Sequence, residues 1–307
     1  MGDKVFVTGS AGFIGSHVID ELKIRGYKPV TFDIWDNPKQ DVRNPKAVMN
    51  AMDGCDFVIS LAACPYIPFG YINPQEFFET NANGVLHVLE AAKKHEVRMV
   101  HVSTSEVYGT AQDPLKTMNE NHRIHPHSTY AVAKYAGDGL CFTYYKEHDV
   151  DVTVVRMFNN FGPRETWRYV IPEIIDQLHK SPILHLGNIY TERDFTYVED
   201  GARALVDVME CSGLEGEVLN CGSGSTHSVQ SIAFTLGEIM HPTEEISIKV
   251  DDWRLRPYDV DRLLCNNSKI RRLTGWSPET EFYEGLVKTV NFFRENGEKW
   301  NYRTVYK

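Results

Sequence analysis

Along the first 160 positions, apolar residues follow two alternating rhythms. Short β-branched runs, KVFVT, PVTFD, FVISLAA, RMVHVSTS and VTVVRMF, read as buried strands. Between them lie stretches with helical spacing: Phe13 to Arg25, Pro45 to Met52, a segment running through FFETNANGVLHVLEAAKKH, and one beginning near Ser128. Asn73 followed by Pro74 announces the third of these, an N-cap with proline at the first helical position. Such alternation predicts an α/β fold, a doubly wound parallel sheet of Rossmann type with six strands in place by about residue 160.

From Phe161 onward the rhythm changes. The strand-like pieces PILHL, DFTYV, EVLNC and EISIKV are shorter, and helical stretches fall at 170–180, 199–211, 228–240 and 282–296. The pattern predicts a cofactor-binding domain over 1–160 and a smaller α/β substrate-binding lobe over 161–307, with some segments of the second returning to the first. No Gly/Ser linker, low-complexity segment or internal repeat separates them, so a continuous interface is expected.

Composition narrows the functional classes. With 42 acidic against 32 basic residues, the net charge of -10 argues against binding nucleic acid or an anionic membrane. No apolar run approaches the roughly 20 residues that span a bilayer, and the start shows no signal-peptide pattern, so a cytoplasmic location is expected. Six cysteines without a C-x-x-C pair fit reduced thiols. His122, His125 and His127 crowd one loop without an acidic or cysteine partner at ligand spacing, so no metal site is expected.

Candidate chemistry begins in the turn after the first strand. Gly9, Gly12 and Gly15 have the spacing G-x-x-G-x-x-G, used by short-chain dehydrogenases/reductases, between a strand and a helix. A β-carbon would block both the sharp turn and the approach of a pyrophosphate to the helix N-terminus at Phe13 and Ile14. The second strand ends in Asp33, a carboxylate placed to accept ribose hydroxyls and repel a 2′-phosphate, so NAD is expected rather than NADP. Asp41 and Val42 read either as adenine contacts or as a simple helix entry.

Tyr130 and Lys134, four apart on one helical face, form the chain's one Y-x-x-x-K. They follow the strand end carrying Thr104, Ser105 and Glu106. A phenol ionises near pH 10, so an adjacent ammonium and a nicotinamide cation would have to stabilise the phenolate by about 3–4 kcal/mol for Tyr130 to act as a base at neutral pH. Tyr130 would then take a proton from a sugar hydroxyl while the neighbouring carbon gives hydride to NAD.

The set TGSAGFIG, Asp33, SLAA, TNANGVLHVLEAA, STSEVYG, YAVAK, FNNFGPR, RDFTYVED and RPYDV resembles the NAD-dependent epimerase/dehydratase family, the extended short-chain dehydrogenases/reductases that act on nucleotide sugars. The resemblance spans nearly the whole chain. It implies NAD kept as a transient hydride store, contacts to it from Leu61, Ala62 and Ala63, and a Thr104, Tyr130 and Lys134 triad. Glu106 then singles out a reaction. Simple 4-epimerases of the family usually carry a small or apolar residue there, whereas a carboxylate can remove the C5 proton of a 4-keto sugar, as in 4,6-dehydratases. Ser105 stands where dTDP-glucose dehydratases carry an acidic aspartate, which argues against that substrate. The same STSE occurs in UDP-glucuronate decarboxylases, so the expected order is 4,6-dehydratase, then C4-epimerase, then decarboxylase of a UDP-uronic acid. A helix-capping or surface role for Glu106 is the plain alternative.

Of the 16 arginines, 12 follow residue 150, and their planar forks suit phosphate oxygens. The resemblance implies Asn159, Arg193 and Arg256 as diphosphate ligands of a nucleotide-diphosphate sugar, with Arg164 and Arg168 as weaker candidates. Leu86, Val88, Leu89 and Ala92, with the apolar face of the helix carrying Tyr130, suit either a four-helix homodimer seam, as in relatives, or an ordinary core face.

Overall fold

The computed structural model describes residues 2–111, 113, 117–166, 169–256 and 259–297. The first half runs β1 (Lys4–Thr8), α1 (Phe13–Ile24), β2 (Lys28–Phe32), α2 (Pro45–Ala51), β3 (Phe57–Ser60), α3 (Pro74–Phe78), α4 (Gly84–His95), β4 (Arg98–Thr104), α5 (Thr129–His148) and β5 (Val152–Met157). The second runs β6 (Asn159–Phe161), α6 (Val170–Leu178), β7 (Ile183–Leu186), β8 (Glu192–Tyr197), α7 (Val198–Glu210), β9 (Val218–Cys221), β10 (Thr226–Ser228), α8 (Val229–Met240), β11 (Ser247–Val250), β12 (Arg262–Leu263), α9 (Ser268–Thr274) and α10 (Phe282–Asn296).

Six parallel strands pair in the order β2-β1-β3-β4-β5-β9. The winding reverses between β1 and β3, where an open parallel sheet leaves a crevice beyond its strand carboxyl ends. Five of these strands lie before residue 160, but the sixth does not. It is β9, from the EVLNC run, laid on the edge that β5 would otherwise leave unpaired. A four-residue apolar run carries no mark of which sheet it joins. α7 returns with it: Ala202, Leu205, Val206 and Met209 pack with Val5, Val18 and Leu22, and Ile270 of α9 and Trp276 join the same core.

The opposite face of the sheet is covered by α2, α4 and α5. Val88, Leu89 and Ala92 are buried there and Leu86 packs partly buried against them, so these residues serve the core of the single chain. The helix entered at Asn73 is also not continuous. Asn73 caps α3 through Glu76 N (3.5 Å), then Glu79–Asn83 widens into a π turn. Buried Asn81 in that turn accepts from Cys64 N (2.7 Å) and donates to Cys64 O (3.1 Å), fixing the segment that leaves β3.

The remaining strands build a smaller mixed layer: β10, β8 and β12 side by side with β6 added to β8, and β7 paired with β11. α6, α8 and α10 close its own core around Phe161, Ile174, Leu184, Phe195, Leu236 and Leu286. β6, β10 and β12 are too short for a periodic signal and exist because β8 offers them a partner. Asp194 of β8 ties this region together, accepting from Ser223 N and Oγ (both 2.7 Å), Gly224 N (2.8 Å) and Cys265 N (3.1 Å). No described helix is long and apolar enough to cross a membrane.

Candidate active site

A cleft of about 630 Å³ opens at the winding reversal, and the glycine-turn, catalytic and diphosphate residues singled out in the sequence line it together. The glycine turn forms one wall. Gly9 has φ 71°, and a β-carbon there would sit 2.8 Å from Ala62 N; one on Gly15 would sit 2.0 Å from Gly9 O. Thr8 Oγ1 accepts from Leu61 N (3.1 Å) and Ala62 N (3.2 Å), joining this turn to the Leu61–Ala63 exit of β3. α1 starts at Gly12 with no side-chain cap and no acid in its first turn. The first-turn amides at Phe13 and Ile14 therefore have no competing side-chain acceptor beside the cleft, which fits a pyrophosphate.

Asp33, buried at the end of β2, accepts from Ala11 N (3.0 Å) and Trp35 N (2.9 Å). Its carboxylate is thus locked at the cleft wall, where it favours ribose hydroxyls over a 2′-phosphate. These features together fit NAD. Asp41 also lines the cleft but is clamped by Arg43, whose Nε and Nη2 donate to it over 2.7–3.0 Å. The Val42 carbonyl is tied to His87 Nδ1 (2.8 Å). Both residues brace this corner whatever else they contact.

Thr104 ends β4, and its Oγ1 accepts from Glu106 N (3.2 Å), capping the single 3₁₀ turn Ser105–Tyr108. Ser128 Oγ accepts from Ala131 N (3.1 Å) and so starts α5 with Tyr130 and Lys134 on the cleft side. The Thr104 hydroxyl lies close enough to the Tyr130 phenol to favour its ionised form, and Lys134 Nζ donates to Val102 O (2.5 Å). Burial pushes Tyr130 up to about 12, and the Glu106 carboxylate adds to the rise. Burial also draws Lys134 down to about 8, with Asp138 opposing. The protein's own groups therefore do not lower Tyr130 on balance, because desolvation dominates. Any lowering is left to the nicotinamide charge.

Beneath Lys134 lies a buried chain of polar groups that the motifs did not reveal. Asp138 holds Arg156 Nε (2.9 Å), Arg156 Nη1 donates to Tyr108 Oη (3.1 Å), and Tyr108 donates to Asn220 Oδ1 (2.7 Å). The one sequence signal was an acid four residues after Lys134. Glu165, Tyr169 and Tyr66 also line the cleft and carried no signal at all.

On the far side, Asn159 comes from β6 and Arg193 from β8. Asp259 receives Arg193 Nη2 (3.1 Å) and lies 3.9 Å from Arg256 Nη1, so one carboxylate holds two of the expected anion ligands side by side. Arg164 is drawn to Asp20 on α1 (2.6 Å). Arg168 lies outside the described residues.

Two outcomes follow. Gly15→Ala should abolish the rise in melting temperature that NAD gives the parent chain, because its β-carbon cannot fit against Gly9 O. Lys134→Met should be more stable than the parent at pH 7. The folded lysine titrates near 8, below its ordinary 10.5, so the cost of burying its charge is full below pH 8 and fades as pH rises towards 10.5. Thermal melts across pH 7–11 should therefore show an advantage that shrinks with pH, and a constant gap would refute the assignment.

With this geometry in view, the model of the NAD dependent epimerase/dehydratase family matches residues 5–222. A dTDP-glucose 4,6-dehydratase of Streptomyces niveus is 30% identical over 329 residues, covering 97% of this chain and 94% of that protein. UDP-glucuronic acid decarboxylase 1 of Xenopus tropicalis is 30% identical over 319 residues, covering 96% and 73%. Among solved structures, the UDP-glucose 4-epimerase of Thermus thermophilus in complex with NAD superposes with a TM-score of 0.85 at 26% identity, covering 95% of this chain and 99% of that one. A family model that covers most of the chain and a relative matched over nearly its whole length agree, and the chain belongs to the NAD-dependent epimerase/dehydratase family.

Proposed function

We propose that the chain is a nucleotide-sugar 4,6-dehydratase. Similarity alone does not select the reaction, since a dehydratase and a decarboxylase are equally identical to this chain and an epimerase superposes closely. The observation that carries the reading is Glu106. It lines the cleft on the turn capped by Thr104, close enough to Tyr130 for its charge to raise that phenol. A carboxylate beside the C4 proton relay is superfluous for simple epimerisation and necessary for elimination.

NAD, when bound, supplies a hydride acceptor and donor. The chain's own residues manage the protons. Tyr130 takes the proton of the C4 hydroxyl, Thr104 holds that oxygen, and Lys134 is fixed on Val102 O beside them. Once C4 is a ketone the C5 proton is acidic, and Glu106 removes it as the C6 hydroxyl leaves. Asn159, Arg193 and Arg256 hold the substrate's diphosphate, with Asp259 keeping the two guanidinium groups in place.

With a panel of UDP-, GDP-, CDP- and dTDP-hexoses, one substrate should yield a product lighter by one water. Mass-neutral conversion would make the enzyme an epimerase, and loss of carbon dioxide from a uronic acid a decarboxylase. Glu106→Gln should lower dehydration by about 10²–10⁴-fold while leaving substrate binding nearly intact, as read by calorimetry.

We also propose a homodimer, through the exposed apolar face of the helix that carries Tyr130, one of the two helices of the seam the sequence suggested. Val132, Tyr135 and Phe142 on α5 are 40%, 42% and 60% exposed, and Gly139 between them leaves open space within 4 Å. They form a stripe on which a second copy's α5 can pack. Sedimentation should show a dimer that Phe142→Glu converts to a monomer with its fold intact.

A further inference from the structure

Dehydration needs two proton transfers, one from C5 and one to the departing oxygen on C6. Glu106 performs the first in the reading above. For the second, its neighbour Ser105 is buried and carries only a hydroxyl, a very poor acid. Of the other carboxyl groups that line the same cleft, one stands apart. Glu165 is 3% exposed, and its Oε2 has no hydrogen-bond partner among the described residues.

The surroundings of Glu165 set it apart from a structural acid. Its sequence neighbour Arg164 is turned to Asp20, so no ion pair holds the carboxylate from that side. The loop carrying it is pinned through Pro163 O to His17 (2.9 Å) and by Arg164 in a left-handed conformation, φ 67°. Tyr169, which lines the same cleft, lies within electrostatic reach of both Glu165 and Tyr130, so Glu165 belongs to the part of the cleft that holds Tyr130. Burial drives the Glu165 carboxyl well above its ordinary range, and a backbone bond from Gly162 opposes this only in part. A carboxyl whose neutral form burial favours and a half-buried partner carboxylate in one cavity are the arrangement by which active sites divide acid and base work.

We propose that Glu165 is the general acid of the dehydration, delivering its proton to the leaving C6 hydroxyl. The assignment rests on the dehydratase reading. In the step, the C5–H bond breaks with its proton going to Glu106, and its electron pair forms the C5–C6 double bond. The C6–O bond breaks, and the oxygen takes the Glu165 proton and departs as water. Glu106 ends protonated and Glu165 ionised. Over the full cycle, the proton that Tyr130 takes from the C4 hydroxyl balances the one that Glu165 gives.

The test is Glu165→Gln, which keeps size and shape. In deuterated water the variant should form product at least about 100-fold more slowly, while deuterium still enters C5 of recovered substrate within about threefold of the parent rate. Glu106→Gln should lose both. Infrared spectra at pH 7 should show the carbonyl band of a protonated carboxylic acid in the parent protein that Glu165→Gln removes. Dehydration by Glu165→Gln within about threefold of the parent, joint loss of exchange and dehydration, or absence of that band in the parent would each overturn the assignment. Failure of the parent chain to release water from any sugar would overturn the dehydratase reading itself, and this assignment with it.

Discussion

The site depends on keeping an ammonium inside the protein. Lys134 has to lie against the tyrosine and the cofactor cleft, which puts its nitrogen between a sheet and a helix, away from water. Desolvating such a charge costs several kcal/mol unless compensated. One contact is local, the Val102 carbonyl at 2.5 Å. The rest is a chain: Asp138 four residues on, Arg156 of β5 on Asp138, Tyr108 on Arg156, and Asn220 of β9 on Tyr108. Removing one member leaves a buried charge or dipole without its partner, so these positions are coupled. The strand that returns from the second half of the chain is therefore more than an edge cover, because its Asn220 finishes the network on which Lys134 rests.

A second constraint is the sign of the whole molecule. A protein with net charge -10 that takes a dinucleotide and a nucleotide diphosphate must reverse its field locally. It does so in two ways. At the cofactor end, backbone amides at the start of α1 are left without side-chain acceptors, and a fixed dipole replaces a formal charge. At the substrate end, Asp259 holds Arg193 and Arg256 together, so two cations that repel each other are kept in one place by a shared carboxylate.

Much of this was legible in the residues. The glycine spacing, Asp33 and the Tyr130–Lys134 pair are local patterns whose chemistry follows from a few neighbouring side chains, and all of them reach one cleft. The predicted helices beyond residue 160 match α6, α7, α8 and α10 to within two residues at each end, because their apolar faces repeat with the helical period. What escaped was non-local. Asp259 lies 66 residues from Arg193, and Asn220 lies 112 from Tyr108, so nothing in either segment names the other. Glu165 reads in the sequence as one more acid beside an arginine, and only burial and the diversion of Arg164 to Asp20 distinguish it.

The sequence by itself determined the alternation of strands and helices, the turn that must be glycine, and the Tyr130–Lys134 pair that reaches the cleft, since each is fixed by the chemistry of a short stretch. Tertiary structure alone decided which strand completed the sheet, whether the apolar face of α4 was core or interface, and the titration of Tyr130, which burial sends upward although a lysine stands beside it. The reason is the same in each case. Pairing edges, covered faces and desolvation are properties of what surrounds a residue, and the surroundings are assembled from parts of the chain that no local pattern encodes.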